Sequence, residues 1–293
     1  MKTVWMIWLC IVSLISGLTG NGLAAHGEKQ PEKKAILLVG FGTTVPEARK
    51  ALDNMEASTR KAFPETEIRW AYTSSVIRAR LAKEGKKLDS PEMAMAKLME
   101  DKFTHVAVLP LHTIPGREYH DLQHNVQLFA QMAGGFRTIL VARPLLSSHE
   151  DMERVAKAMT AHIPKERKSQ DAVLLMGHGS EHHPADAVYM AMNQIFQDLD
   201  PNVFVGTVEG HPSLEELLPK LEARKARKIY LMPFMAVAGD HARNDMAGNE
   251  PDSWKSILTG KGIACETILK GTAEYPEVAE VWLDHLRAVW SHF

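Results

Sequence analysis

Three short stretches of this sequence combine metal-capable side chains with the small residues that let a chain turn sharply. Gly177-His178-Gly179-Ser180 sets an imidazole between two glycines. Thr207-Val208-Glu209-Gly210 ends an apolar run on a carboxylate, and Val237-Ala238-Gly239-Asp240-His241 places a second imidazole after another such run. A carboxylate at a strand end is costly to keep without a partner. Two imidazoles and one carboxylate suit zinc, cobalt, nickel or ferrous iron, and three protein ligands leave coordination positions open for reaction or transfer. Asp240 or Asp245 is placed to fix the His241 tautomer from outside the ligand set. The three donors stand on separate segments, so no local ligand spacing supports them as a set. For His178 taken alone, a turn histidine bonded to nearby backbone is the competing account.

The elements that must position these residues are legible as alternating periodicity. Short apolar runs bounded by glycine or proline predict strands over 35–39, 67–72, 105–109, 138–141, 172–176, 203–208, 228–232 and 263–268. Stretches of helical period lie between them, over 46–63, 91–102, 119–132, 149–162, 185–199, 213–223 and 276–290. The pattern predicts an α/β fold: two similar domains, each a four-stranded parallel sheet flanked by helices, with a cleft between them. The domains are expected at residues 33–165 and 170–293, joined by the polar, charge-rich stretch 164–170. A repeat supports the division. The run from Ile36 to Thr43 matches the run from Val173 to Ser180, so that Gly40 aligns with Gly177. Val108-Leu109-Pro110 with Gly116-Arg117-Glu118 likewise matches Leu231-Met232-Pro233 with Gly239-Asp240-His241. In parallel sheets, ligands bind beyond the carboxyl ends of strands, so these loops are expected to face a shared cleft. Phe41 then stands where the second half has His178, and Glu118 where it has His241.

Composition sets the bounds. The 293 residues are 45% hydrophobic and 24% charged, which is the make-up of a soluble globular protein rather than a disordered one. Lys+Arg 34 against Asp+Glu 36 gives a net charge of −2 with no basic block, which argues against a phosphate-driven hold on nucleic acid. At the front, Lys2, the apolar run 4–18 and the small residues 20–25 have the layout of a secretory signal, expected to span 1–25 and to be cleaved near Ala24 or Ala25; the competing account is an uncleaved membrane anchor, for which the run is short. The expected location is periplasmic, with no membrane span left after cleavage. Cys10 leaves with the signal, Cys265 remains, and any bound metal must rely on nitrogen and oxygen donors.

The second-half motifs resemble the anaerobic-type sirohydrochlorin cobaltochelatases. The likeness runs through the segments 177–183, 207–210 and 231–246, and extends to His112-Thr113-Ile114-Pro115-Gly116-Arg117-Glu118-Tyr119-His120 and to Asp252-Ser253-Trp254-Lys255. The resemblance implies two similar α/β domains enclosing a tetrapyrrole cleft, with the last helix packing on the first domain. It implies ATP-independent insertion of Co²⁺, with Fe²⁺ as a further metal, into sirohydrochlorin. His178 and His241 match the family's active-site histidines, Glu209 the carboxylate that joins them on the metal, and Glu118 an acid facing the cleft. Neutral imidazole can hold Co²⁺ or take a proton near neutral pH, so either histidine is a candidate base. Arg49, Arg78, Arg80 and Arg243 lie near expected loop ends and are candidates for the macrocycle's carboxylates, or else ordinary surface charges.

Other histidines carry weaker expectations. His182 and His183 continue the motif into a helix start. His120 and His124 are spaced to share one helix face; they are a candidate second metal site, with His120 a candidate axial haem ligand at a subunit contact of a homo-oligomer, or else ordinary exposed histidines. Met93, Met95 and Met99 read as core filling. The rival function is a periplasmic carrier that binds metal or haem without turnover.

Overall fold

In the computed structural model, residues 31–180 and 183–293 are described; the expected signal segment and His182 lie outside them. The first half runs β1 (Lys34–Gly40), α1 (Arg49–Ala62), β2 (Glu67–Tyr72), α2 (Ser75–Lys83), α3 (Pro91–Glu100), β3 (His105–Pro110), α4 (Arg117–Ala130), β4 (Thr138–Val141) and α5 (His149–Ala161). The second runs β5 (Ala172–Gly177), α6 (Ala187–Leu199), β6 (Val203–Thr207), α7 (Leu214–Ala223), β7 (Lys228–Pro233), α8 (Trp254–Gly260), β8 (Ala264–Thr267) and α9 (Pro276–Trp290).

Both sheets are parallel and share one topology. Their strand orders are β2-β1-β3-β4 and β6-β5-β7-β8. The registers match as well: Gly40 pairs with Tyr72 and Val39 with Pro110, while Gly177 pairs with Thr207 and Met176 with Pro233. The duplication read from the sequence is therefore one of topology and register. Central strands covered on both faces must be apolar throughout, and Ala35 to Val39 and Ala172 to Met176 are accordingly buried along their length.

Alternation along those strands divides the core. Ile36, Leu38, Val173 and Leu175 point into one continuous cluster that also takes Met55 of α1, Val155 of α5, Phe196 of α6 and Trp282 of α9. Leu37 and Val39 face a separate cluster under α3 and α4, and Leu174 and Met176 one under α7 and α8. The inner faces of both sheets thus feed a common core, and Glu32–Phe293 form one compact unit. Helix α9 packs against α1, α5 and β3 of the first half.

Serine side chains start five of the helices. Ser74, Ser90, Ser148, Ser213 and Ser253 each accept a hydrogen bond from a backbone N–H in the first turn of the helix that follows, which satisfies groups the helix leaves open. Two helices were not read from the periodicity. In α2 Leu81 is the one buried position, so it carries no apolar stripe, and α8 spans only 7 residues. The expected helix over 46–63 starts later, at Arg49, and that over 119–132 starts earlier, at Arg117, directly after Gly116.

Candidate metal centre

In the order β6-β5-β7-β8, the loops after β5 and β7 leave the sheet in opposite directions, which opens a crevice at their carboxyl ends. His178 follows β5 and His241 follows β7, so the two imidazoles flank this switch point. Glu209 follows β6, next to β5.

Backbone bonds hold His178 and Glu209 together. Val208 N–H donates to Gly177 O at 3.1 Å and Glu209 N–H to His178 O at 2.8 Å, so the β5–β6 ladder continues past the strands into the site. The two glycines around His178 are required by this approach. A Cβ on Gly177 would lie 2.5 Å from the Tyr189 ring; Gly179 has φ +86° and a Cβ there would lie 2.7 Å from Glu209 O. Tyr189 is fully buried beneath the loop, and burial drives its hydroxyl pKa well up, so it stays a neutral phenol. No periodic or spacing signal marked Tyr189 in the sequence.

His241 opens a single turn of π-helix, Ala242–Met246, a distortion common at functional sites. The turn brings Asp245 Oδ2 to 2.6 Å from His241 Nδ1. A carboxylate partner assigns the proton to Nδ1 and leaves the Nε2 lone pair for a metal. Of the two aspartates expected there, Asp245 takes this role; Asp240 instead accepts from Asn244 Nδ2 at 2.8 Å. On His178, Nδ1 lies 3.0 Å from Gly179 O, which assigns the proton to Nδ1 by the same reasoning.

The rings of His178 and His241 stand 4.8 Å apart at 89°. His178 Nδ1 lies 3.9 Å from Glu209 Oε2. One ligand atom from each of His178, Glu209 and His241 falls within 4.8 Å of the others. Among the described residues no other group of three metal-capable side chains gathers this closely. The histidines are partly exposed and Glu209 is exposed, so an ion held here keeps positions open toward the cleft.

The first half supplies the opposite wall. Phe41, the counterpart of His178, is exposed and its ring centroid lies 6.1 Å from that of His178. Arg243 Nη2 lies 3.7 Å from Glu47 Oε2 across the same gap. Glu118, the counterpart of His241, is in the first turn of α4 and is not part of the three-residue cluster; its Oε2 lies 3.4 Å from His112 Nε2. His112 was carried in the sequence only as part of a motif.

The remaining candidates separate. The exposed His120 ring lies 5.2 Å from that of His183, and His124 is exposed on the same helix. His183 Nδ1 accepts from Ala185 N–H at 3.1 Å, so in the neutral ring Nε2 carries the proton and is not available to a metal. Arg78 donates to the carbonyls of Tyr72 and Thr73, Arg49 lies 3.4 Å from Asp53, and Arg80 is exposed. Met95 is buried and Met99 packs beside it, as core filling requires, while Met93 is exposed.

Comparison with known proteins agrees with this fold. The profile of the family described as cobalt chelatase (CbiK) matches residues 34–291. The sirohydrochlorin cobaltochelatase CbiKC of Nitratidesulfovibrio vulgaris is 43% identical over 259 residues, which cover 88% of this chain and 91% of that protein. The sirohydrochlorin cobaltochelatase of Salmonella typhimurium is 34% identical over 256 residues, covering 87% and 95%. Among solved structures, SirB from Bacillus subtilis with Fe³⁺ shares the fold with a TM-score of 0.61 at 18% identity, over 88% of this chain and 95% of that one. With two like parallel sheets, a His-His-Glu cluster at the switch point and a profile match over nearly the whole described chain, this protein belongs to the cobalt chelatase (CbiK) family.

Proposed function

We propose that this protein inserts Co²⁺ into sirohydrochlorin without ATP, with His178, Glu209 and His241 presenting the ion to the macrocycle. The observation that carries the reading is the three-donor cluster, within 4.8 Å and open on one side, facing the exposed ring of Phe41. Its support from outside is the name shared by the two curated relatives.

Insertion exchanges two pyrrole N–H protons for one dication. The protein must therefore hold a partly dehydrated ion, release it toward the ring nitrogens, and receive protons. Two neutral imidazoles and a carboxylate bind Co²⁺ through nitrogen and oxygen, and the same donors accept Fe²⁺. Glu209 is the exposed member, so it is the ligand that can leave most easily. Phe41 offers a flat apolar surface on the other side, against which a macrocycle can lie with one face toward the imidazoles.

The test is an anaerobic absorbance assay with sirohydrochlorin and Co²⁺, run beside folded His178→Ala and His241→Ala variants. Multiple turnovers by the wild type, with a loss of a hundredfold or more in each variant, are expected. Product limited to one equivalent, or full rates in both variants, sinks the reading and favours a carrier. The segment 1–25 supports a periplasmic site of action. Fractionation of cells making the full chain is expected to place the shortened protein in the periplasm; uncleaved protein in the cytoplasm refutes export.

A further inference from the structure

The loop after β3 carries a histidine that the metal centre does not use. His112 is largely enclosed, and among the described residues neither ring nitrogen has a hydrogen-bond partner. A buried polar atom left unsatisfied is costly, so a ring with two of them calls for a reason. Nε2 faces Glu118 Oε2 at 3.4 Å, too far for a full hydrogen bond and near enough to form one if a proton arrives.

The surroundings hold that geometry. Leu145 N–H donates to His112 O at 3.0 Å and Leu146 N–H to Thr113 O at 2.9 Å, which pins the loop. The Tyr119 ring stands edge-on, 6.5 Å away. Glu118, by contrast, is half exposed and lines a pocket of about 280 Å³ with Thr73, Arg78, Glu92 and Asp121. The pair sits where β1 and β3 part, the same place in the first sheet that His178 and His241 occupy in the second. The two loops approach each other: the ring of His120, on the turn that bears Glu118, lies 5.2 Å from that of His183, in the loop after β5.

We propose that His112 is the proton-holding partner of Glu118 during metal insertion, an inference that rests on the chelatase reading. As the metal binds, a pyrrole N–H bond breaks, its electron pair stays on nitrogen for the metal, and an O–H bond forms at Glu118. Imidazole nitrogen is by its chemistry a stronger base than carboxylate oxygen, so a proton delivered to such a pair is better held on nitrogen. The proton passes to Nε2 of His112, giving an imidazolium hydrogen-bonded to a carboxylate and satisfying the orphaned nitrogen. It leaves through Glu118 to water in the adjoining pocket, and the second proton follows, so that one Co²⁺ replaces two H⁺.

The test is a cycle of wild type, His112→Gln, Glu118→Gln and the double variant in the full chain, assayed for Co²⁺ insertion into sirohydrochlorin. His112→Gln is expected to lower kcat about a hundredfold, with KM for the macrocycle and calorimetric Co²⁺ affinity unchanged. The double variant is expected to be no slower than Glu118→Gln. An inactive wild type brings down the chelatase reading and this inference with it. An active wild type combined with full rate in His112→Gln, with multiplying losses in the double variant, or with a loss confined to KM, overturns the role of His112 alone. If removing the enclosed ring unfolds the chain, Glu118→Asp draws the carboxylate back from Nε2 and leaves the ring in place. Its kcat is then expected to fall tenfold or more at unchanged KM, and an unchanged kcat overturns the proposal.

Discussion

A site that hands on its metal must hold the ion without trapping it, and on the proposed reading the side chains around His241 would set that balance. Its Nδ1 lies 2.6 Å from Asp245 Oδ2, which fixes the ring and raises the basicity of the nitrogen left for metal. His178 has a neutral backbone carbonyl in the equivalent place, at 3.0 Å, so the two imidazoles are unequal donors. His241 is expected to be the stronger. Asp245→Asn is expected to weaken Co²⁺ binding by about 10- to 100-fold, measured by calorimetry on the folded variant; unchanged affinity would mean that the aspartate has no such part. The pairing was half legible in the sequence. Asp240 and Asp245 both lay within reach of the histidine, and the π-helical turn, which no composition signal announces, brought Asp245 round and turned Asp240 toward Asn244.

Between elements, the contact of most consequence joins α5 to α9. His285 of α9 is buried, with Nε2 3.2 Å from Asp151 Oδ2 and Nδ1 3.1 Å from Arg143 O. Burial pushes the Asp151 carboxyl up, but the Ser148 and His285 contacts and the Arg143 charge outweigh it and hold the pKa below the ordinary range. A carboxyl depressed in the folded state stabilises the fold above its unfolded pKa of about 3.9, and that contribution is lost as pH falls through the folded value. Unfolding midpoints in urea are therefore expected to drop as pH falls below about 4. Asp151→Asn is expected to be less stable at pH 7 by about 1–3 kcal/mol, with a shallower decline over the same acid window. A variant whose decline parallels the wild type would remove Asp151 from the account. Neither partner stood out in the sequence, because a buried polar contact between distant helices leaves no local pattern.

Across the whole molecule, the sequence by itself determined the strands, the two-fold repetition and the residue types of the centre. Those features rest on local physics: apolar runs ended by glycine or proline, helical period, and two glycine-bounded strand ends that reappear in the same order. It also brought out Phe41 and Glu118 as the first-half counterparts of His178 and His241. Local physics could not bring distant loops together. His178, Glu209 and His241 become a cluster only because the strand order β6-β5-β7-β8 sets β5 between the other two strands. His112 becomes notable only when packing encloses its ring and leaves both nitrogens without partners. The sequence likewise showed two halves and a join, whereas the shared core of α1, α5, α6 and α9 depends on which face of each strand turns inward. Side-chain chemistry is written residue by residue, but distance and solvent access are properties of the packed chain, and they decided which of the 14 histidines stand in the three-donor cluster.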